Sequence, residues 1–321
     1  MLFIIIISLD CVIHKLRQIN KHKYNKHTTN TNLYIIFMFF SLLIFIQVAA
    51  KTMIPNNPTF LVHGIASNKN EMVPLQNYLL SQGIETHNIE IGNGELSSIF
   101  MSMNEQCAFL AENIKKTFKK KTFKKSLNKR ENNEKINIIA ISQGGLLARC
   151  YVEKYTHLPE YPGVDLLLTM GTPHMGIYIL DSPGFYKSFV KDYWKDPFDY
   201  ENYLRTNTFL APLNNEIAHD NSSIYKNNML NIETFVAVWS GIDTVITPYQ
   251  SAKFEFYNIT AAADEGELTI IDFSHSDEYE ADLIGLRTLS NEKRFQKLQY
   301  DCQHDKFKSE ECFIPILEEI V

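Results

Sequence analysis

The sequence predicts an α/β fold with a mostly parallel central sheet, helices on both faces and an inserted helical cap. Three observations lead there. Short β-branched runs recur along the chain with helical stretches between them, the pattern of a sheet buried on both faces. One run, "INIIAISQGGLLARCYVEKY" at residues 136–155, passes from strand to helix through a serine with no room for an ordinary loop. Between Met175 and Asn231 the strand pattern stops, and aromatic-rich helical phrases too long and too apolar for a loop take over.

The elements justify this reading in order. Residues 1–50 read as a leader. Its apolar run, "YIIFMFFSLLIFIQVAA" at 34–50, follows Lys15, Arg17, Lys21, Lys23 and Lys26 and ends in Val48 and Ala50, small residues at a signal-peptidase spacing. We read a secretory signal cut after Ala50, with an uncleaved anchor as the lesser option and Met38 as an alternative start. Residues 51–321 form a single domain. "PTFLVHG" is a first strand, 71–82 a helix, "HNIEIG" a second strand and 104–118 a long helix. The strand at 136–141 and its helix follow, then the buried strands "VDLLLTMG" and "TFVAVWSG". The cap insertion spans about 175–232, and a basic insertion about 115–130.

Composition narrows the class. The chain has 321 residues, 45% hydrophobic and 21% charged, ordinary for a globular protein with a large core. Net charge is −6, yet "KKTFKKKTFKKSLNKR" at 115–130 carries nine positive charges and no acid, so the remainder is more acidic still. One basic segment on an acidic body is unlike a nucleic-acid binder, whose positive charge spreads over a face. We read the segment as a solvated helix extension or loop. Cys11 leaves with the leader, and Cys107, Cys150, Cys302 and Cys312 remain, an even number that permits two disulfides in an oxidising compartment. Asn221-Ser-Ser and Asn258-Ile-Thr are glycosylation sequons consistent with secretion.

The chemistry centres on Ser142. A strand that ends in serine and turns at once into a helix lifts the hydroxyl above the sheet. Ala140, Gly144 and Gly145 are small enough for neighbouring backbone to pass close. Such a nucleophile needs a base, and the base needs an acid to orient it. Asp243, just past a late strand in "WSGIDTVITP", is the expected acid, ahead of Asp272 and Asp277 in a polar region. His304, in "YDCQHDKF" before the last amphipathic helix, is the expected base, whereas His275 sits in an acidic surface loop. The order Ser142, Asp243, His304 is that of α/β-hydrolases. Oxyanion donors are expected from the backbone of Gln143 and of Ile65 in "HGIAS". His63 is expected to be structural, and His174 in "GTPHMG" to pack its loop.

The segments "LVHGIAS", "ISQGG" and "GTPHMG" resemble lipases and thioesterases of the α/β-hydrolase fold. The cap phrases "DYWKDPFDYENYLRTNTFLAPLNNE" and "YKNNMLNIETFVAV", with "LIGLRTL" ahead of the His304 loop, resemble lysosomal palmitoyl-protein thioesterases from about Pro58 to Val321. Ala140 replaces the usual elbow glycine, "GTPHMG" stands where relatives often carry "GGQHQG", and the basic stretch lengthens a shorter connection. The resemblance implies removal of long-chain acyl groups from S-acylated cysteine in proteins or peptides, or from acyl-CoA-like thioesters. It implies Ser142 as nucleophile, Asp243 as acid, His304 as base, and Ile65 with Gln143 as oxyanion donors, with no cofactor or metal. Phe185, Tyr193, Trp194, Phe198 and Phe209 of the cap would wall an apolar acyl groove. A secreted lipase or carboxylesterase is the alternative, and an inactive lipid-binding homologue a third reading. Membrane contact is at most transient, and the expected location is the lysosome or the exterior. The expected bridges are Cys302–Cys312, bracketing the His304 loop, and Cys107–Cys150. The latter pair lies on helices expected to be neighbours, in regions that the resemblance suggests are bridged.

Overall fold

Six parallel strands form the centre of the computed structural model, which describes residues 54–125 and 135–320. The leader with its apolar run, and positions 126–130 of the basic stretch, lie outside the described residues. The first part runs β1 (Thr59–Val62), α1 (Val73–Ser81), β2 (Thr86–Ile89), α2 (Glu95–Phe100) and α3 (Met103–Lys125). Then come β3 (Lys135–Ile141), α4 (Gln143–Tyr155) and β4 (Gly163–Met170). The cap contributes α5 (Gly184–Phe189), α6 (Tyr200–Thr206), α7 (Leu210–Leu213) and α8 (Ser222–Leu230) before β5 (Thr234–Trp239). The remainder holds β6 (Phe256–Tyr257), α9 (Ile259–Glu265), β7 (Ile270–Ile271), α10 (Asp277–Glu280), α11 (Leu286–Asn291), β8 (Phe295–Gln299) and α12 (Glu310–Ile320).

The strand order is β2-β1-β3-β4-β5-β8, with β6 and β7 pairing separately and antiparallel. Register aligns the carboxyl ends: Val62 faces Ala140, Ile141 faces Met170, Met170 faces Val238, and Trp239 faces Gln299. Every loop that follows one of these strands therefore opens on the same edge, where open α/β sheets place ligands.

Side chains alternate between the two faces. Phe60, Val62, Ile138, Ala140, Phe235 and Ala237 join a large core with Leu110 and Ile114 of α3, Leu147 and Tyr151 of α4, and the cap residues Phe209 and Leu210. Their alternates Leu61, Ile139, Leu168 and Val236 are equally buried, as are Leu75 and Leu79 of α1 and Phe313, Ile316 and Leu317 of α12. These two helices meet through Tyr78 and Phe313, whose rings lie 5.7 Å apart. The central strands β1, β3, β4 and β5 are buried on both faces along most of their length, which accounts for their predominantly apolar sequences.

Two disulfides close the frame. Cys107 on α3 is bonded to Cys150 on α4, and Cys302 to Cys312, as expected. Among the described residues, no helix is long and apolar enough to cross a membrane. Of the sequon asparagines, Asn221 is exposed ahead of α8, while Asn258 is half-buried and its Oδ1 accepts the Ala261 N–H at 3.1 Å.

Candidate active site

Ser142 occupies the junction of β3 and α4 with φ 56° and ψ −132°. A non-glycine residue held there costs on the order of 1–3 kcal/mol and persists only where its surroundings enforce it. The enforcement is visible. The Ser142 N–H donates to the Met170 carbonyl at 2.9 Å, and the Ser142 carbonyl accepts from Gly145 N–H at 2.9 Å and from the Thr172 hydroxyl at 3.0 Å. The small residues after it are obligatory. A Cβ on Gly144 would lie 2.5 Å from the His63 carbonyl oxygen, and one on Gly145 would lie 2.0 Å from Thr172 Oγ1.

The serine hydroxyl lies 2.9 Å from Nε2 of His304, and Nδ1 of the same ring lies 2.7 Å from Asp243 Oδ2. Asp243 is itself fixed: its Oδ1 accepts the N–H groups of Val245 at 2.8 Å and Ile246 at 3.0 Å. That leaves Oδ2 to face the imidazole. A carboxylate can only accept, so Nδ1 carries the hydrogen and Nε2 presents a lone pair to the serine. The sheet brings these groups together, since β4 lies between β3 and β5, and β8 borders β5. His304 opens a short 3-10 turn, His304–Lys308, five residues beyond β8.

Phe307, which sequence reasoning passed over, and Gly171, which it placed just past a strand end, shape the histidine's seat. Phe307 is fully buried, its ring centre 6.4 Å from that of His304. Gly171, just past β4 with φ 55°, leaves room for both; a Cβ there would meet Phe307 Cε2 at 2.8 Å and His304 Nδ1 at 3.2 Å. The only signal in the sequence was a glycine after a buried strand.

The loop after β1 crosses Ser142 closely: a Cβ on Gly64 would stand 2.9 Å from Ser142 Cβ. Ile65 follows directly, and Gln143 opens α4, where first-turn N–H groups lack an intrahelical acceptor. His63 is buried; its Nδ1 lies 2.9 Å from the Gly64 carbonyl, and its Nε2 lies near Glu90 Oε1 at 3.1 Å and the Ile91 N–H at 3.3 Å. His174 is buried against Phe254, their rings stacked at 4.2 Å, with Nε2 on the Thr169 hydroxyl. Burial and the nearby Arg149 push its pKa well down, so the ring stays neutral. His275 is exposed, and Asp272 spends Oδ1 on Ser274.

The five cap aromatics are dispersed. Phe209 is fully buried in the core, and Tyr193 is nearly so, with its hydroxyl on Gln143 Oε1 at 3.0 Å. Trp194 lines an open cleft of about 470 Å³ together with Lys187, Lys191, Asp196 and Asp199. A cleft with those charged walls suits polar groups better than an alkyl chain. Phe185 and Phe198 are exposed. Phe185 lies against Phe189, which meets Phe100 of α2 edge-on at 6.1 Å; Phe198 and Trp194 both pack on Tyr178. Phe100 and Phe189 are exposed as well, so Phe185, Phe189 and Phe100 make a run of exposed ring contacts that the sequence did not reveal, because α2 carries only six residues. Among the described residues, no group of three or more His, Cys, Asp or Glu side chains could hold a metal ion.

A family model described as palmitoyl protein thioesterase matches residues 58–304. "Palmitoyl-protein thioesterase 3" of Dictyostelium discoideum is 29% identical over 279 residues, covering 82% of this chain and 90% of the relative. "Lysosomal thioesterase PPT2-B" of Xenopus laevis is 27% identical over 256 residues, covering 72% and 80%. Among solved structures, a lipase-esterase related protein from Clostridium acetobutylicum aligns at a TM-score of 0.44 and 14% identity over 83% of this chain and 93% of that one. Matched from its first strand through His304, the chain belongs to the palmitoyl protein thioesterase family, hydrolases of the α/β-hydrolase fold.

Proposed function

We propose that this protein hydrolyses long-chain acyl thioesters, with S-palmitoylated proteins or peptides as the substrate class, through Ser142, His304 and Asp243. The observation that carries the reading is the continuous hydrogen-bonded series from Ser142 Oγ to His304 at 2.9 Å and on to Asp243 at 2.7 Å, in a member of this family. His304 Nε2 takes the hydroxyl proton as Ser142 Oγ attacks the acyl carbon. The oxyanion accepts from the backbone of Gln143 and Ile65, and the C–S bond breaks as His304 returns the proton to sulfur. Water then enters, loses a proton to His304 and releases the fatty acid from the serine ester. A thiol of pKa near ~8.5 leaves more readily than an alcohol, so a thioester asks less of this machinery than an ester does. The exposed aromatic run of Phe100, Phe189 and Phe185 offers apolar surface to an acyl chain, each buried CH₂ contributing about 0.8 kcal/mol.

Two disulfides suit an oxidising compartment. With a relative named as a lysosomal thioesterase, they support a lysosomal or secreted location. The test is an acyl-chain series, thioester against oxyester, with Ser142→Ala as the control. Rising kcat/KM toward about sixteen carbons on the thioester is expected, with turnover and fluorophosphonate labelling lost in Ser142→Ala. An optimum at acetyl or butyryl oxyesters, with palmitoyl thioester unreactive, would identify a carboxylesterase instead.

A further inference from the structure

We propose that Tyr193 of the cap is a positioning residue: its hydroxyl fixes the Gln143 side chain and, through it, the backbone N–H that faces the developing oxyanion. The inference rests on the reading of Ser142 as nucleophile. Gln143 is the residue directly after it, with its side chain buried and every polar atom of that side chain engaged. Nε2 donates to the Ser98 carbonyl at 2.9 Å and to Gln106 Oε1 at 3.1 Å. Gln106 is oriented in turn by donating to the carbonyls of Met101 at 2.8 Å and Ser98 at 3.3 Å.

The amide orientation follows from chemistry. A carbonyl only accepts, so the nitrogen of Gln143 must point at Ser98, and its oxygen must point at Tyr193. The tyrosine must then donate, as it does at 3.0 Å. Burial pushes the Tyr193 hydroxyl well above its ordinary range, which keeps the donor proton in place. Tyr193 is held independently of the nucleophile. Its N–H donates to the Val190 carbonyl, its carbonyl accepts from Ile177, and its neighbour Asp192 accepts the Met103 N–H at the start of α3 at 2.7 Å. The cap thus reaches the first residue of α4 through one hydroxyl. Removing it leaves Gln143 Oε1 buried without a partner, and the amide is free to rotate.

Tyr193→Phe deletes that hydroxyl alone. On both an acyl thioester and a nitrophenyl ester, kcat should fall about tenfold, short of the ~10²–10³-fold cost of deleting an oxyanion donor, with KM within about twofold of wild type. The rate constant of fluorophosphonate inactivation should fall in parallel. That constant reports folded molecules only, so it decides the matter even if the variant folds poorly. An unchanged inactivation rate, or a change confined to KM, would overturn the proposal and make Tyr193 a packing or acyl-contact residue. A wild-type enzyme inert toward thioesters would refute the substrate class while leaving this test intact on the nitrophenyl ester.

Discussion

At the scale of single residues, the site depends on which atom of each group is already committed. Asp243 gives Oδ1 to two backbone N–H groups and keeps Oδ2 for His304. Asp243→Asn should preserve the turn, because the amide oxygen can still accept from Val245 and Ile246. The amide nitrogen would then face Nδ1, and the hydrogen would move to Nε2, where it opposes the serine proton. We expect kcat to fall by about 10⁴ with little change in melting temperature. Asp272→Asn, at an exposed carboxylate, should stay within about twofold of wild type in the same assay. A larger loss in Asp272→Asn would transfer the role of the acid. Ser142 and Asp243 were legible in the sequence because each follows a recognisable strand, and strand ends converge in a parallel sheet; His304 was legible from chain order and its place before the last amphipathic helix. The Gln143, Gln106 and Ser98 connection was not, since nothing in the spacing of a glutamine reveals which carbonyl its amide meets.

At the scale of elements, legibility tracked burial. β1, β3, β4 and β5 are central, so their residues face hydrophobic layers on both sides and read as apolar runs. β8, "FQKLQ", lies at the sheet edge with a largely exposed face, and its pattern hid it even though it carries the chain to His304. The two-residue strands β6 and β7 are below the length at which periodicity exists. Helix α3 runs to Lys125, so the basic stretch begins as a continuation of that helix, one of the two expected forms. The turn after β4 shows what an element end can demand of one residue. Gly171→Ala would need to displace Phe307 or His304 and would also strain a backbone at φ 55°. We expect kcat to drop by roughly ten- to a hundredfold, since small displacements of a catalytic group have effects of that order. Gly266→Ala is the matched control: φ is also positive there, at 70°, but nothing stands within 4 Å of the added carbon. It should lower the melting temperature and leave kcat unchanged. Equal kcat losses in both variants would attribute the Gly171 effect to backbone strain alone.

At the scale of the whole molecule, buried charge knits the cap and ties it to the helix after Ser142. Within the cap, Lys195 pairs with Glu216 at 2.9 Å, both nearly inaccessible to solvent. Arg149 of α4 reaches into the cap, donating to Asn214 Oδ1 at 3.0 Å and to the Leu213 carbonyl, while its pair with Glu153 is fully buried at 3.0 Å. Breaking such a pair is costly, but the intact pair is weak evidence of stabilisation, because both ions lose their water. Glu153 carries that cost openly. Burial pushes its carboxyl up to about 7 against the opposing pull of Arg149, and among the described residues its Oε2 has no hydrogen-bond partner. The sign of the pH effect follows. A carboxyl whose folded pKa lies above its unfolded value binds its proton more tightly in the native state. Its contribution to stability is therefore complete below about 4.5, the unfolded value, and is lost as pH rises through about 7. Over that window wild type should lose up to ~3 kcal/mol relative to Glu153→Gln, whose amide mimics the protonated acid and does not titrate. Urea unfolding of both proteins at pH 5 and pH 7.5 measures the difference. If wild type instead gains on Glu153→Gln as pH rises, the ionised pair with Arg149 outweighs its desolvation, and the cap is held most firmly at neutral pH. With the expected sign, the contribution is retained in an acidic compartment and lost at neutral pH, in keeping with the lysosomal location proposed for the enzyme.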